Sequence, residues 1–335
     1  MLLIPHTPIG IKGLGHYLPE EQVSNQTLLN EHPLPIDDAW IRRRIGVESR
    51  HRAAASQATS DLAIAAAHKA LASAQISADE IDLILLSTIS PDHPNPSTAC
   101  AVQAGLGISE TLCPSLDISA ACSGFLYGLD LATRYVLTGA RNVLLISAEI
   151  RSRFTDPKDP ATFPIFGDGA GAAVIGPVET GKGVKGIRLL ADGRGYYSVH
   201  IPAGGSRNPT RQETLERREH FIRMENGEKI FFEVVEGMSA YTQEFLKTLN
   251  CELSDLDFLV PHQANLHILK EVARRLTLPL EKVLMTIQST GNTSSASIPI
   301  CLSHYWEQGI LQPGHTVCLV AAGAGHTGGL ALVRF

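Results

Sequence analysis

Three residues of this chain have side chains able to do chemistry, and each stands where a strand should give way to a helix. Cys122 lies in "DISAACSGFLYGL", His262 follows the apolar run of "FLVPHQAN", and Asn292 sits in the Gly-containing turn of "STGNTSSASIP". A cysteine opening a helix faces unsatisfied backbone N–H groups and the positive end of the helix dipole, which favour thiolate and nucleophilicity near neutral pH. His262 stands at the end of an apolar strand run, where α/β sheets present functional groups, and Asn292 in a tight turn leading into another helix. Each also has an ordinary reading taken alone: small buried filling for Cys122, a structural or capping residue for His262, a turn residue for Asn292. Their placement at three strand-to-helix turns joins them into one candidate catalytic set built around a nucleophilic cysteine.

The elements around them alternate between strand and helix patterns, which indicates an α/β fold. A helix is expected over Ser60 to Ala74, capped by Ser60 or Asp61, and the nearly all-apolar "EIDLILLST" after it reads as a buried parallel strand. "MLLIPHTPIGIKGLG" reads as a single first strand. The order helix, Asp-apolar strand, helix, strand-to-loop, helix, last strand occurs twice, with Asp82 and Asp257 about 175 residues apart. Two copies of one α/β unit are therefore expected, residues 1–180 carrying Cys122 and residues 181–335 carrying His262 and Asn292. Within the second, about 181–228 reads as an inserted connection rich in Gly, Pro and charge. This pairing puts Cys122 and Asn292 in equivalent turns, with a buried helix from Cys122 to about Leu137.

The 335 residues are 44% hydrophobic with a formal net charge of -6, enough for one large core or two fused ones. No long Lys/Arg run is present, which argues against a nucleic-acid partner. No apolar run approaches the roughly 18 to 20 residues that span a bilayer, so no membrane association is expected. Six dispersed cysteines without C-x-x-C or zinc-ligand spacing suit free thiols in a reducing cytoplasm, and no metal is expected. "GDGAGAAV" (Gly167 to Val174) lacks phosphate-loop spacing and reads as structural. Trp40 with Arg42, Arg43 and Arg44 could stack on an adenine and neutralise phosphates, or be a charged face beside a core Trp. Lys270, Arg274 and Arg275 form a basic face, either solvated or docking an acidic partner.

On these motifs, together with "GLGHYLPEEQVSN", "WIRRRIGVESRH", "IFGDGAGAAV", "PAGGS", "MENGEKIFF", "PHQAN" and "GAGHTGGLALVRF", the chain resembles the thiolase-fold condensing enzymes, specifically the β-ketoacyl-[acyl-carrier-protein] synthase III family. The resemblance implies two duplicated α/β halves with mixed five-stranded sheets in a layered αβαβα arrangement. It also implies an acyltransferase that condenses an acyl-CoA primer with malonyl-[acyl-carrier-protein], initiating fatty-acid synthesis. Cys122 would carry the acyl group, the backbone N–H groups of Cys122 and Ala324 would bind the oxyanion, and His262 with Asn292 would stabilise the enolate. Trp40, Arg44 and His267 would contact CoA, and Lys270, Arg274 and Arg275 would dock the carrier protein. A cytoplasmic homodimer is the family expectation, with no cofactor beyond the thioester substrates.

Two departures from the family pattern bear on substrate. Pro160 stands where an Arg at the CoA mouth is often found, and His267 replaces another basic residue after "HQANL". Asn95 occupies the place of a Phe that floors the partner subunit's acyl pocket in acetyl-preferring members, so a primer longer than acetyl is expected. A type III-like acyltransferase or specialised condensing enzyme with a different acceptor is the alternative that these motifs leave open.

Overall fold

In the computed structural model, which describes residues 1–108 and 112–335, two five-stranded sheets alternate with three layers of helix. Numbering only the strands of these sheets, they are β1 Leu2–Leu3, β2 Ile9–Tyr17, β3 Leu83–Ser87, β4 Ser115–Ile118, β5 Val143–Glu149, β6 Gly169–Pro177, β7 Gly183–Ala191, β8 Phe258–Pro261, β9 Thr316–Gly323 and β10 Thr327–Arg334. The principal helices are α1 Asp38–Arg44, α2 Thr59–Ala74, α3 Thr98–Gly105, α4 Gly124–Leu137, α5 Gly227–Thr248, α6 Leu266–Arg275 and α7 Ser297–Glu307.

The first sheet runs β2-β6-β5-β3-β4 and the second β1-β7-β10-β9-β8. The order β2-β6-β5-β3 matches β7-β10-β9-β8, with antiparallel, antiparallel and parallel pairings in the same succession. The two aspartates of the repeat do the same work. Asp82 Oδ2 accepts the amide N–H groups of Arg141 and Asn142 at 2.6 and 3.0 Å, and Asp257 Oδ2 accepts that of Thr316 at 2.7 Å. Each carboxylate thus fixes where a parallel pair of strands begins. The second half's counterpart of β4 has shrunk to one parallel bridge, Leu259 with Val283.

Burial on both faces explains why β3 is apolar throughout. Leu83 and Leu85 join the central core while Ile84 and Leu86 join the outer one, as the period-two pleat requires. The central core packs α4 and α7 between the sheets. Helices α2 and α3 cover the outer face of the first sheet, and α5 and α6 that of the second. Close contact of α7 with β6 depends on Gly171, where an added Cβ would stand 2.7 Å from Ile300 N.

Three expectations need revision. The N-terminal segment is two strands, because Leu2–Leu3 pairs with β7 in the second sheet while Ile9–Tyr17 pairs with β6 in the first. The stretch 181–228 is not wholly a connection: Gly183–Ala191 is a nine-residue strand inside the second sheet, its period disguised by glycines at 183 and 186. Helix α2 begins at Thr59, and Asp61 closes its first turn by accepting the Ala58 N–H at 2.7 Å.

Candidate active site

Cys122 occupies the middle of a single 3-10 turn, Ala121–Ser123, that precedes α4. Ala121 takes a left-handed conformation with φ 47°, which turns the chain sharply out of β4 and lifts the cysteine clear of the helix barrel. The C-terminal loop is stitched onto this turn. Ser123 Oγ donates to Thr327 O at 3.0 Å, and Thr327 Oγ1 donates to Ala120 O at 3.1 Å. A Cβ on Gly323 would fall 2.9 Å from Cys122 N and 3.1 Å from Ser123 N, so only glycine lets the loop approach. Ala324 follows directly, in a 3-10 turn of its own.

The second half contributes a matching construction. A 3-10 turn, Ser294–Ala296, opens α7, and Ser294 has φ 52°, like Ala121. The positional counterpart of Cys122 is therefore Ser295 rather than Asn292, which lies three residues earlier. Asn292 is buried, its Oδ1 accepting the Ser294 N–H at 2.8 Å, which leaves the amide NH2 free to donate. Its backbone is clamped to the first half: Asn292 N donates to Ile165 O at 2.9 Å and Gly167 N to Asn292 O at 3.2 Å.

His262 emerges from the end of β8, its own N–H donating to Val320 O at 2.8 Å, and is almost fully buried. Its Nδ1 lies 2.8 Å from Ser297 Oγ, the first residue of α7. The Cys122 sulfur lies 3.6 Å from Ser294 Oγ. Cys122 from one sheet and His262 from the other thus both touch the short segment that begins at Asn292, and the three sequence candidates converge there. Gln263, which sequence reasoning passed over, holds the segment before it: its Oε1 accepts the N–H groups of Thr286 and Ile287, and its Nε2 donates to Pro261 O at 2.7 Å.

The electrostatics correct one expectation. Cys122 keeps partial solvent exposure as a residue, but its sulfur is closely surrounded, and that desolvation pushes the thiol above its ordinary range. The Ser294 hydroxyl, the Arg151 charge and the backbone N–H pull the other way and do not overcome it. The resting side chain is a thiol, not the preformed thiolate that its place before a helix suggested. Burial also pushes His262 down to about 4, so the ring is neutral around pH 7. Beside them lies Glu149, fully buried at the end of β5 and pushed upward by desolvation. Its carboxyl accepts from Ser90 Oγ at 2.6 Å and Ser295 Oγ at 2.9 Å, tying the two halves together. The signal for this group was a charged residue ending an otherwise apolar strand, "VLLISAE". The signal for Ser294, Ser295 and Ser297 was the serine cluster after Asn292, which alone reads as capping.

The remaining candidates surround this centre. Trp40 is half-buried on α1, with Arg43 and Arg44 exposed, while Arg42 is engaged by Asp38 and Glu48. Helix α1 abuts the start of α6, since Asn265 Nδ2 donates to Arg44 O and Leu266 N to Ile45 O. His267 and Lys270 line a groove of about 330 Å³ with Phe231, Phe232, Arg274 and Arg275. Arg274 is paired with Glu271, and Arg275 with Glu236 and Glu271. Asn95 is exposed on the loop between β3 and α3, outside this cluster. "GDGAGAAV" forms β6 and the turn before it, where Asp168 accepts from Ser152 N and Ala53 N.

The architecture and the residues it gathers have close parallels. A solved structure from Aquifex aeolicus, 3-oxoacyl-[acyl-carrier-protein] synthase III, superposes with a TM-score of 0.88 at 36% identity, covering 98% of this chain and 100% of that one. The family model for 3-oxoacyl-[acyl-carrier-protein] synthase III matches residues 116–193, and that for its C-terminal part residues 246–335. The β-ketoacyl-[acyl-carrier-protein] synthase III of Caldanaerobacter subterraneus is 43% identical across 97% of both chains. This chain belongs to the β-ketoacyl-[acyl-carrier-protein] synthase III family. The synthase III of Clostridioides difficile is equally similar, at 43% identity over 98% of this chain and 99% of that one. One of the two family models spans Cys122 and the other both His262 and Asn292.

Proposed function

We propose that this synthase III catalyses decarboxylative Claisen condensation of an acyl-CoA primer with malonyl-[acyl-carrier-protein], giving a 3-oxoacyl-[acyl-carrier-protein] and initiating fatty-acid synthesis. The observation that carries the reading is the contact of Cys122 and His262, from opposite halves, with the single segment running from Asn292 to Ser297.

In the first half-reaction the Cys122 sulfur attacks the thioester carbonyl. A carbon–sulfur bond forms to Cys122, the bond to the CoA sulfur breaks, and the thiol proton leaves with CoA. The oxyanion is held by the N–H groups of Cys122 and Ala324, on segments held together by the Ser123 and Thr327 bonds. Because burial raises the thiol, the resting side chain holds its proton, which must leave in the acyl-transfer step.

In the second half-reaction the malonyl thioester carbonyl accepts hydrogen bonds from His262 Nε2–H and the Asn292 amide. Carbon dioxide departs, the enolate so stabilised attacks the acyl-Cys122 carbonyl, and the Cys122 sulfur leaves and regains a proton from solvent. A neutral His262 suits a role as donor to an enolate oxygen and fits poorly with a general acid titrating near pH 7. Trp40 and Arg44 receive the CoA nucleotide, with His267 along the approach. Lys270, Arg274 and Arg275 receive the acidic carrier protein beside the groove between α5 and α6. The working unit is a homodimer in the cytoplasm, with the Asn95 loop reaching its partner's acyl pocket. Incubation with acyl-CoA and then malonyl-carrier protein tests the reading: Cys122 must gain one acyl group and lose it to a 3-oxoacyl product.

A further inference from the structure

Arg151 is the largest fully buried side chain, 1% exposed, and lies two residues beyond β5, just past Glu149. Its Nε and Nη1 atoms have no acceptor among the described residues, and it forms no ion pair there. The other buried arginine, Arg50, also leaves its Nε without an acceptor, but its two terminal nitrogens donate to the carbonyls of Val23 and Pro164. A guanidinium stays charged in any protein environment, and burying one without an acceptor is costly. Such a charge persists when something else uses it.

Its location says what. The guanidinium lies 5.7 Å from the ring centre of Phe154 and 5.5 Å from that of Phe166. Phe166 is bridged in parallel to Asn292. The charge is felt by the Cys122 sulfur and by Glu149. Glu149 does not neutralise it by contact, because its two carboxyl oxygens are taken up by Ser90, Ser295 and the Ile89 N–H. A fixed cation, framed by aromatic rings and without an ion-pair partner among the described residues, therefore stands just past the end of β5, beside the Phe166 that bridges to Asn292.

We infer that Arg151 is a specificity-determining residue that selects an acyl group carrying its own carboxylate, a dicarboxylic acid monothioester. The inference rests on the reading of Cys122 as the acyl acceptor. The distal carboxylate accepts a forked pair of hydrogen bonds from the guanidinium while the thioester end reaches Cys122. It takes no part in bond making, so condensation returns a 3-oxoacyl thioester with the terminal carboxylate retained. An apolar acyl chain of equal length leaves the guanidinium desolvated and unpaired, which penalises it.

The test compares succinyl- and glutaryl-CoA with butyryl- and valeryl-CoA, reading rates of Cys122 acylation by intact-protein mass spectrometry. It is run on the full-length wild type and on Arg151→Leu and Arg151→Lys, each checked for folding by thermal melting. The wild type is expected to load the dicarboxylic donors faster, on the order of a hundredfold. Arg151→Leu should reverse that order without losing its melting transition, and Arg151→Lys should retain the carboxylate preference in weakened form. Loading of apolar chains at rates equal to or above the dicarboxylic ones in wild type, or a preference unchanged in a folded Arg151→Leu, overturns the inference and leaves the condensing function standing. Absence of acylation by every donor would overturn the reading of Cys122 itself.

Discussion

The Ser297 hydroxyl lies 2.8 Å from His262 Nδ1 and accepts the Gln263 N–H at 3.3 Å. With that N–H directed at its oxygen, the hydroxyl hydrogen points to Nδ1, and the ring proton is placed on Nε2 by this network. The hydrogen bond thus sets which face of the imidazole donates. Ser297→Ala should slow malonyl-carrier-dependent decarboxylation about tenfold, the worth of one buried hydrogen bond, while Cys122 acylation proceeds at its usual rate. Ser297→Thr should restore most of the loss. An equal fall in both half-reactions would assign Ser297 a merely structural part.

The neutral state of His262 has two consequences for pH. Its ring sits at about 4, against 6.5 ordinarily, so the rate of condensation should show no limb near pH 6.5. Stability should respond below that point. Between pH 6.5 and 4 the unfolded chain binds a proton that the folded one excludes, so stability falls on acidification by roughly 3 kcal/mol at about 1.4 kcal/mol per pH unit. Urea unfolding across that range should show a slope that His262→Gln reduces, and an identical slope in both proteins would contradict a buried neutral ring.

A raised thiol at Cys122 makes a distinct claim about reactivity. Iodoacetamide should modify the resting enzyme slowly at neutral pH and progressively faster toward alkaline pH, with a midpoint above that of an ordinary cysteine. A midpoint below neutrality would mean that the turn before α4 outweighs burial.

Gly323 is expected to be irreplaceable for chemistry more than for folding. Gly323→Ala would press a methyl group against Cys122 N at 2.9 Å, displacing the turn proposed to supply the oxyanion donors. Acyl loading should fall about a hundredfold, the usual cost of one such donor. A variant that loads normally would show that the N–H of Cys122 does not bind the oxyanion.

On the basic face, Glu271 holds Arg274 and Arg275, and those two cations hold its carboxyl down to about 2. Glu271→Gln should release Arg274 toward an acidic carrier, Arg275 staying held by Glu236, and lower the carrier KM about threefold at low salt, an effect that salt should erase. Steady-state kinetics against malonyl-carrier concentration check this, and a raised KM would place docking elsewhere.

Much of this organisation was legible in residue order. Asp82 and Asp257 announced the duplication because each pins the start of a parallel strand pair, and the Cys122, His262 and Asn292 turns followed from strand ends. The strand Gly183–Ala191 was hidden because its glycines interrupt the alternation that marks a strand. Leu2–Leu3 and Ile9–Tyr17 merged into one because partnership with different sheets leaves no local trace. The sign of the shift at Cys122 could not be read from a helix start, since desolvation depends on what the other half brings against the sulfur. Arg151 escaped notice for the same reason: a charge after an apolar strand reads as its exposed end until the chain closes over it.

The most direct measurement is intact-protein mass spectrometry of wild type and Cys122→Ser, first with acyl-CoA and then with malonyl-carrier protein. Wild type should gain one acyl group on Cys122 and discharge it on adding the carrier, releasing carbon dioxide and 3-oxoacyl-carrier in equal amounts, while Cys122→Ser does neither. An acyl adduct that survives the malonyl carrier, or full product formation by Cys122→Ser, would contradict the assignment of Cys122 as the acyl-bearing nucleophile.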